Sequence, residues 1–267
     1  MPTATFGLSG AHIAHSSPAE AIDRCVALSL DSIELFTQEY TPDECREIRD
    51  RCGDAGLIVD YHAPWGGDLD LSPNDHDTAL RNLESFIARA DLMGVDHLTC
   101  HLGLYDLDVP GGRDRALDMI ISVTEKVVPS LKDTGVVLCY EDNTLCHDPN
   151  PLGNVPRDFH LVFEAVDSPF VGMTLDTGHA NVTGNLRIYL DQFGKRIHFV
   201  HLNDNDGFGD LHIAPSSGTI DWEQAFEWMS FYGIEGSFSL EFNEQYVALE
   251  LPILRDLASA YDWRGRA

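Results

Sequence analysis

The sequence predicts a single (β/α)8 TIM barrel spanning residues 1–267, and three observations favour this fold. Eight short runs of β-branched and apolar residues alternate with longer amphipathic segments along the whole chain. No linker or low-complexity stretch divides the sequence into separate units. A doubly wound open sheet would show the same alternation, but the segment GLSGAHIAHSS after the first strand does not fit the glycine-rich phosphate fingerprint of that fold.

Each predicted strand is a short run whose side chains alternate between two faces. The eight strands are predicted at 3–9, 31–36, 57–63, 96–102, 136–142, 171–177, 197–203 and 237–243. Between them, helical segments are clearest at 42–56, 74–94 and 114–135, each of which ends at a glycine, as α-helices commonly do. A last helix is predicted at about 244–262, after the last strand.

The composition is strongly acidic. The 267 residues include 44 aspartates and glutamates against 17 lysines and arginines, which gives a formal net charge of -27. Because 9% of the residues are aromatic and the apolar runs are regular, we expect a folded chain rather than a disordered one. An acidic, lysine-poor surface is expected of a protein from a salt-rich (halophilic) cytoplasm. It also disfavours a broad phosphate-binding face, which needs clustered lysine and arginine.

The compartment is predicted to be the cytoplasm. The six cysteines form no C-x-x-C pair, and most lie in apolar runs, so we expect reduced, buried thiols. The opening segment MPTATFGLSG lacks both a basic start and a long apolar core, unlike a signal peptide. No apolar run approaches the roughly 20 residues of a membrane span.

Polar residues end six consecutive predicted strands, and in a barrel these ends converge on one mouth, where such enzymes build their sites. A lone histidine or carboxylate at a strand end is usually structural, but a series of six indicates a shared function. Burying three carboxylates together without a cation would force protonation or cost many kcal/mol, so the set predicts a divalent metal site. The six residues are His62, His101, Glu141, Asp176, His201 and Glu241.

Three further candidates lie just beyond strand ends. His179 follows Asp176 by three residues across a tight glycine turn. Asp210 and His212 belong to the stretch HLNDNDGFGDLHIAPSSGTIDW, at 201–222, and both could reach inward if the backbone twists there. This stretch is therefore predicted to hold metal or substrate in part.

Several other polar residues are predicted to lie outside the site. Asp204 and Asp206 are interpreted as solvated loop carboxylates, and Asp221 as the N-cap of the next helix. His198, three residues before His201 on one strand, should face the helices and be structural. Three histidines show no partner pattern, namely His76, His147 and His160. Two that follow the first strand could line the mouth, namely His12 and His15.

Six segments, in their order along the chain, resemble the xylose-isomerase-like barrel superfamily: YHAPW, CHLG, YEDN, LDTGHAN, HLNDND…DLH and LEFN. This superfamily includes sugar isomerases and epimerases and the endonuclease IV phosphodiesterases, and the resemblance covers nearly the whole chain. In the sugar branch it implies one divalent ion held by Glu141, Asp176, His201 and Glu241. In the endonuclease branch it implies three zinc ions, whose additional ligands match His62, His101, His179, Asp210 and His212.

The loops predicted around the mouth favour a small-molecule substrate, because they carry far more aspartate than arginine and no lysine. We therefore predict a divalent-metal-dependent isomerase or epimerase of a sugar or sugar phosphate, acting by proton transfer through a metal-stabilised enediolate. Glu141 and Glu241 are the predicted proton-transfer residues, and the predicted cofactor is one or more Mn2+, Zn2+, Co2+ or Mg2+ ions. An endonuclease IV-like multi-zinc phosphodiesterase acting on abasic DNA is the alternative, and a barrel that only binds ligands is a third interpretation. The sequence does not decide whether the protein forms a homo-oligomer.

Overall fold

A computed structural model describes residues 3–13, 17–36, 39–72 and 75–264 and shows a closed barrel of eight parallel strands. Each strand pairs with the next along the chain, and β8 closes the ring against β1. The strands are β1 (Thr5–Ser9), β2 (Ser32–Phe36), β3 (Ile58–His62), β4 (His97–His101), β5 (Val137–Glu141), β6 (Val171–Asp176), β7 (Ile197–Leu202) and β8 (Ser237–Leu240). All bounds lie within three residues of the predicted ones, so the TIM barrel is confirmed and the open sheet is excluded.

Helices follow the strands around the barrel. In the part of the chain that the structure describes they are α1 (Pro18–Ala27), α2 (Pro42–Ala55), α3 (His76–Met93), α4 (Gly112–Thr134), α5 (Pro156–Ala165), α6 (Thr177–Thr183), α7 (Leu186–Phe193), α8 (Trp222–Phe231) and α9 (Val247–Ser259). A capping box between Thr41 and Glu44 begins α2, and Gly56, with a left-handed φ of 71°, ends it. Asp221 caps α8, as predicted. The last helix begins later than predicted because residues 244–246 form a 3-10 turn.

Polar side chains line much of the barrel interior, where many TIM barrels carry layers of branched apolar residues. Thr99 and Thr174 form a hydrogen bond across the interior at 2.9 Å, and Ser239 donates one to Glu34 at 2.8 Å. At alternate positions of the same strands, apolar residues such as Leu98 are fully buried in the hydrophobic core. The polar groups of the mouth are therefore continuous with hydrogen-bonded groups inside the barrel.

A buried charged cluster closes the N-terminal end of the barrel. His97 Nδ1 lies 3.0 Å from Asp60 Oδ1, and His97 Nε2 lies 3.3 Å from Glu235 Oε1. The other Glu235 oxygen contacts His198 Nδ1 at 2.8 Å. His198 is therefore a structural residue, as predicted, but the expectation that it faces the helices is wrong. The pairing register of β6 with β7 shifts beside it, and its ring turns toward Glu235 and His97.

Two features that the sequence analysis addressed are the state of the cysteines and the presence of membrane-spanning helices. Five of the six cysteines are buried free thiols, as predicted. Cys146 is exposed, contrary to the prediction, because it lies in the loop between β5 and α5 rather than in an apolar run. Among the described residues, no helix combines the length and the apolar character needed to cross a bilayer.

Candidate active site

The C-terminal ends of the strands bring four predicted ligands together. Glu141, Asp176, His201 and Glu241 are buried, and one ligand atom from each lies within 4.8 Å of the others. His201 Nδ1 lies 2.9 Å from Glu141 Oε1, 3.4 Å from Glu241 Oε2 and 3.9 Å from Asp176 Oδ2. We call these four residues the carboxylate cluster. It forms because β5, β6, β7 and β8 all end at the same mouth.

A first group of histidines borders the carboxylate cluster through Glu141. His62 Nε2 and His101 Nε2 each lie 3.0 Å from Glu141 Oε2. His62 is buried at the end of β3, whereas His101 is partly exposed and stacks on Trp65 with ring centroids 4.5 Å apart. These three potential ligands lie close enough together to hold an ion of their own.

A second group forms around Asp210. Asp210 Oδ2 lies 3.3 Å from His179 Nε2, and Asp210 Oδ1 lies 3.3 Å from His212 Nε2. His212 has a positive φ of 44°, a conformation that is uncommon for residues other than glycine and that clusters at functional sites. Asp210 and His212 were expected to reach inward together if the backbone twisted between them, and the left-handed conformation of His212 is such a twist. The four predicted ligands and the five further candidate site residues thus lie at one mouth, in three adjoining groups, and His12 forms a fourth group with His212 and Glu241.

Backbone carbonyls orient three of these histidines. In each case Nδ1 lies within hydrogen-bond distance of a carbonyl oxygen. The contacts are His62–Ala63 (3.0 Å), His179–Asp142 (2.8 Å) and His212–Glu241 (3.0 Å). Because a carbonyl only accepts, Nδ1 carries a proton and donates it, which directs Nε2 at the carboxylates of the mouth. The same arrangement is typical of metal-ligating histidines.

Asp176, in the segment LDTGHAN, is held by hydrogen bonds to both of its carboxylate oxygens. Asp176 Oδ1 accepts a hydrogen bond from the backbone N–H of His179 at 2.7 Å, so Asp176 is also the N-cap of α6. Asp176 Oδ2 accepts a hydrogen bond from Asn203 Nδ2 at 2.7 Å. Gly178 is required here because a Cβ at this position would lie 1.8 Å from Asn203 Oδ1. The close approach of Gly178 to the Asn203 side chain thereby fixes Asp176 and His179 relative to β7.

The loop after β7 differs from the prediction at Asp204. This carboxylate is fully buried rather than solvated, and it accepts hydrogen bonds from four donors. The donors are the backbone N–H groups of Asn205 (2.8 Å), Thr219 (3.0 Å) and Ile220 (3.2 Å) and the indole of Trp222 (2.9 Å). Asp204 therefore joins the two ends of the loop that presents Asp210 and His212. Asp206 is exposed, as predicted.

The two glutamates of the carboxylate cluster have opposite pKa shifts. Burial opposes ionisation of Glu141, but the neighbouring histidines, His201 foremost, hold its pKa well below its ordinary value. Burial, reinforced by the Asp176 and Glu141 carboxylates, raises the pKa of Glu241 to about 7. A divalent cation would stabilise three buried carboxylates around one imidazole. Oxygen and nitrogen donors without sulfur fit Mn2+, Zn2+, Co2+ or Mg2+.

A cavity of about 240 Å3 opens onto these groups. Trp65 forms part of its wall, and no lysine or arginine lines it among the residues described. Of the two histidines that could line the mouth, His12 lines the cavity, and His15 lies outside the described residues. His147, for which the sequence indicated no partner, lines the cavity too, and its Nε2 lies 3.0 Å from Asp210 Oδ2.

Comparison with known proteins agrees with this architecture. An uncharacterized protein of Methanocaldococcus jannaschii, MJ1311, is 25% identical over 250 residues, which cover 88% of this chain and 83% of that protein. A solved D-tagatose 3-epimerase-like protein superposes with a TM-score of 0.84 at 21% identity, covering 96% of this chain and 97% of that one. The IolI protein, solved with a bound zinc atom, gives a TM-score of 0.78 at 16% identity, covering 97% and 99% of the two chains. A family model described as a xylose isomerase-like TIM barrel matches residues 22–263, and the chain belongs to this family.

Proposed function

We propose that the protein is a divalent-metal-dependent isomerase or epimerase of an uncharged sugar or a related hydroxy-carbonyl compound. One observation carries the proposal: Glu141 and Glu241 line the cavity, whereas Asp176 and His201 lie behind them in the same cluster. The two glutamates can therefore act on a substrate while all four residues hold an ion. The structural likeness to a D-tagatose 3-epimerase-like protein supports this assignment.

The chemistry requires proton transfer at a carbon next to a carbonyl group. A divalent ion held by the carboxylate cluster would polarise adjacent carbonyl and hydroxyl oxygens and so acidify the intervening C–H. Glu141 ends β5 and Glu241 follows β8, so they reach the cavity from different walls. One glutamate removes the proton, and the same or the other glutamate returns it. Return to the opposite face gives an epimer, and return to the neighbouring carbon gives an isomer.

The cavity wall favours an uncharged substrate. Two arginines at the start of α4 and α5 are held in ion pairs, Arg113 with Asp158 and Arg157 with Asp114 at 2.9 Å. Trp65, with 41% of its surface exposed, offers an aromatic face to the C–H groups of a sugar. Imidazoles around the mouth can donate or accept hydrogen bonds to hydroxyl groups.

The proposal is tested by proton exchange with solvent. Protein loaded with Mn2+ is incubated in D2O with free ketoses, D-tagatose among them, and loss of substrate C–H is followed by NMR. We expect exchange that stops on chelation and is lost in Glu241→Gln. Glu235→Gln, which changes a buried glutamate at the other end of the barrel, is the matched control and should retain exchange. Metal-loaded protein that exchanges no ketose would contradict the proposal.

An endonuclease IV-like phosphodiesterase is the second candidate, because the three adjoining ligand groups offer places for three ions. The net charge of -27 and the cavity wall oppose it, since a polyanionic duplex needs cationic contacts. Incision of a duplex containing one abasic site is measured alongside the deuterium exchange. We expect none. Metal-dependent incision well above the rate of any sugar exchange, and abolished in Glu241→Gln, would replace the first proposal.

A further inference from the structure

Glu34 is a buried carboxylate that lies behind the carboxylate cluster and takes no part in the proposed proton transfer. It is the middle residue of β2 and is 1% exposed. Glu34 Oε1 lies 2.9 Å from His201 Nε2, and Glu34 Oε2 accepts a hydrogen bond from Ser239 at 2.8 Å. His201 and Ser239 are paired neighbours on β7 and β8. The Glu34 side chain therefore extends from β2 through the barrel interior and contacts both β7 and β8.

The imidazole of His201 lies between two carboxylates. Its Nδ1 faces Glu141 at 2.9 Å, and its Nε2 faces Glu34 at the same distance. A neutral imidazole carries one proton, so the position of that proton decides which nitrogen has a free lone pair. A proton on Nε2 is accepted by Glu34 and leaves the lone pair of Nδ1 directed into the carboxylate cluster. The hydrogen bond from Ser239 holds Glu34 in this orientation.

His201 differs in this respect from the other histidines of the mouth. His62, His179 and His212 are oriented by backbone carbonyls through Nδ1, whereas His201 is oriented through Nε2 by a side-chain carboxylate. A carboxylate is the stronger acceptor, and it raises the basicity of the ligating nitrogen. The one imidazole of the carboxylate cluster is thus the one with an anionic partner on its far side.

We infer that Glu34 is a positioning residue, which fixes the proton of His201 on Nε2 and so directs Nδ1 at a divalent ion in the carboxylate cluster. The inference rests on the proposed function in requiring that this cluster binds metal. Glu34 was not among the nine candidate site residues predicted from the sequence.

Metal affinity tests the inference without any substrate. Mn2+ suits the oxygen-rich carboxylate cluster, and its free concentration can be read from its EPR signal during a titration. Glu34→Gln keeps the size of the side chain but lets its amide donate to His201, so the proton is no longer fixed. We expect Mn2+ affinity to fall by roughly 10- to 100-fold. The matched control is Glu235→Gln, whose carboxylate also contacts two histidines but at the far end of the barrel. It should leave Mn2+ affinity unchanged.

A second readout reports the proton directly. In zinc-loaded protein with 15N-labelled histidine, NMR should show a proton on Nε2 of His201 and a ligated Nδ1. Ligation through Nε2 would overturn the inference. So would wild-type Mn2+ affinity in Glu34→Gln, or an equal loss in Glu235→Gln.

Two further outcomes are distinguishable. If Glu34→Gln does not fold, Ser239→Ala removes only the support of Glu34, and a smaller, roughly threefold loss of Mn2+ affinity is expected. Unchanged affinity in Ser239→Ala would then overturn the inference. Wild-type protein that binds no Mn2+ would contradict the proposed function and the inference with it, whereas metal-binding wild type with an unaltered Glu34→Gln contradicts the inference alone.

Discussion

Replacement of Asp204 by alanine should destabilise the protein strongly, because four donors would lose their common acceptor, a fully buried carboxylate. Hydrogen bonds to a charged group contribute roughly 1.5–3 kcal/mol each, so four would sum to about 6–12 kcal/mol. Two of the donors have a second acceptor, because the Trp222 indole also contacts the Pro215 carbonyl and the Thr219 amide also contacts the Asn205 carbonyl, so part of this sum is retained. We therefore expect a loss of about 3–5 kcal/mol in the free energy of unfolding, at the upper end for a single substitution.

Thermal unfolding of the chelator-treated protein measures this loss. At about 2.1 cal/mol/K per residue, a chain of 267 residues has an unfolding entropy near 0.56 kcal/mol/K, so 3 kcal/mol corresponds to roughly 5 °C in Tm. Asp206→Ala is the control, because Asp206 is exposed and accepts only the amides of Phe208 and Gly209 in a local turn. Its Tm should change little. Equal shifts for the two variants would refute the assignment of Asp204 as the residue that holds this loop.

Three further predictions concern the metal, the two glutamates and acid stability. Elemental analysis should find at least one divalent ion per chain, and chelation should lower Tm reversibly; protein that neither holds nor gains stability from any divalent ion contradicts the metal site. Glu141→Gln and Glu241→Gln should each lower kcat by about 10³-fold or more in the exchange assay. The control His198→Ala should lower Tm and retain turnover. An inactive His198→Ala together with an active Glu241→Gln would contradict the assignment of these residues. Burial opposes ionisation of Glu235, but hydrogen bonds from His198 and His97 hold its pKa at about 2, below its unfolded value of about 4.5. Its ionised form therefore stabilises the fold above about pH 4.5, and this contribution is lost as pH falls toward 2, so urea unfolding of Glu235→Gln should depend less on pH across this range.

The barrel and the convergence of nine candidate site residues at its mouth could be predicted because both depend on short-range pattern. His62 and Glu141 were candidates because each ends a predicted strand, and the common direction of all parallel strands brings these ends to one mouth. The glycine turn after Asp176 likewise indicated that His179 would be near. In each case the information lies within a few residues of the ligand itself.

The residues that escaped prediction have partners far away in the sequence. Glu34 contacts His201 across 167 positions, and His147 contacts Asp210 across 63. The donors to Asp204 arrive mostly 15 to 18 residues later, when the chain returns to begin α8. One signal for Glu34 was present: a glutamate between Ile33 and Leu35 on a strand shares its face with Ser32, so it points into the barrel and needs a partner there.

The polar interior of the barrel limits how this protein can change during evolution. Because residues such as Glu34, Thr99 and Thr174 fill the interior and also support the mouth, trimming any of them removes packing and leaves a polar neighbour unpaired. Selection for folding and selection for chemistry therefore act on the same positions. New substrates must arise through the loops, where residues such as Trp65 and His147 border the cavity without holding the barrel together.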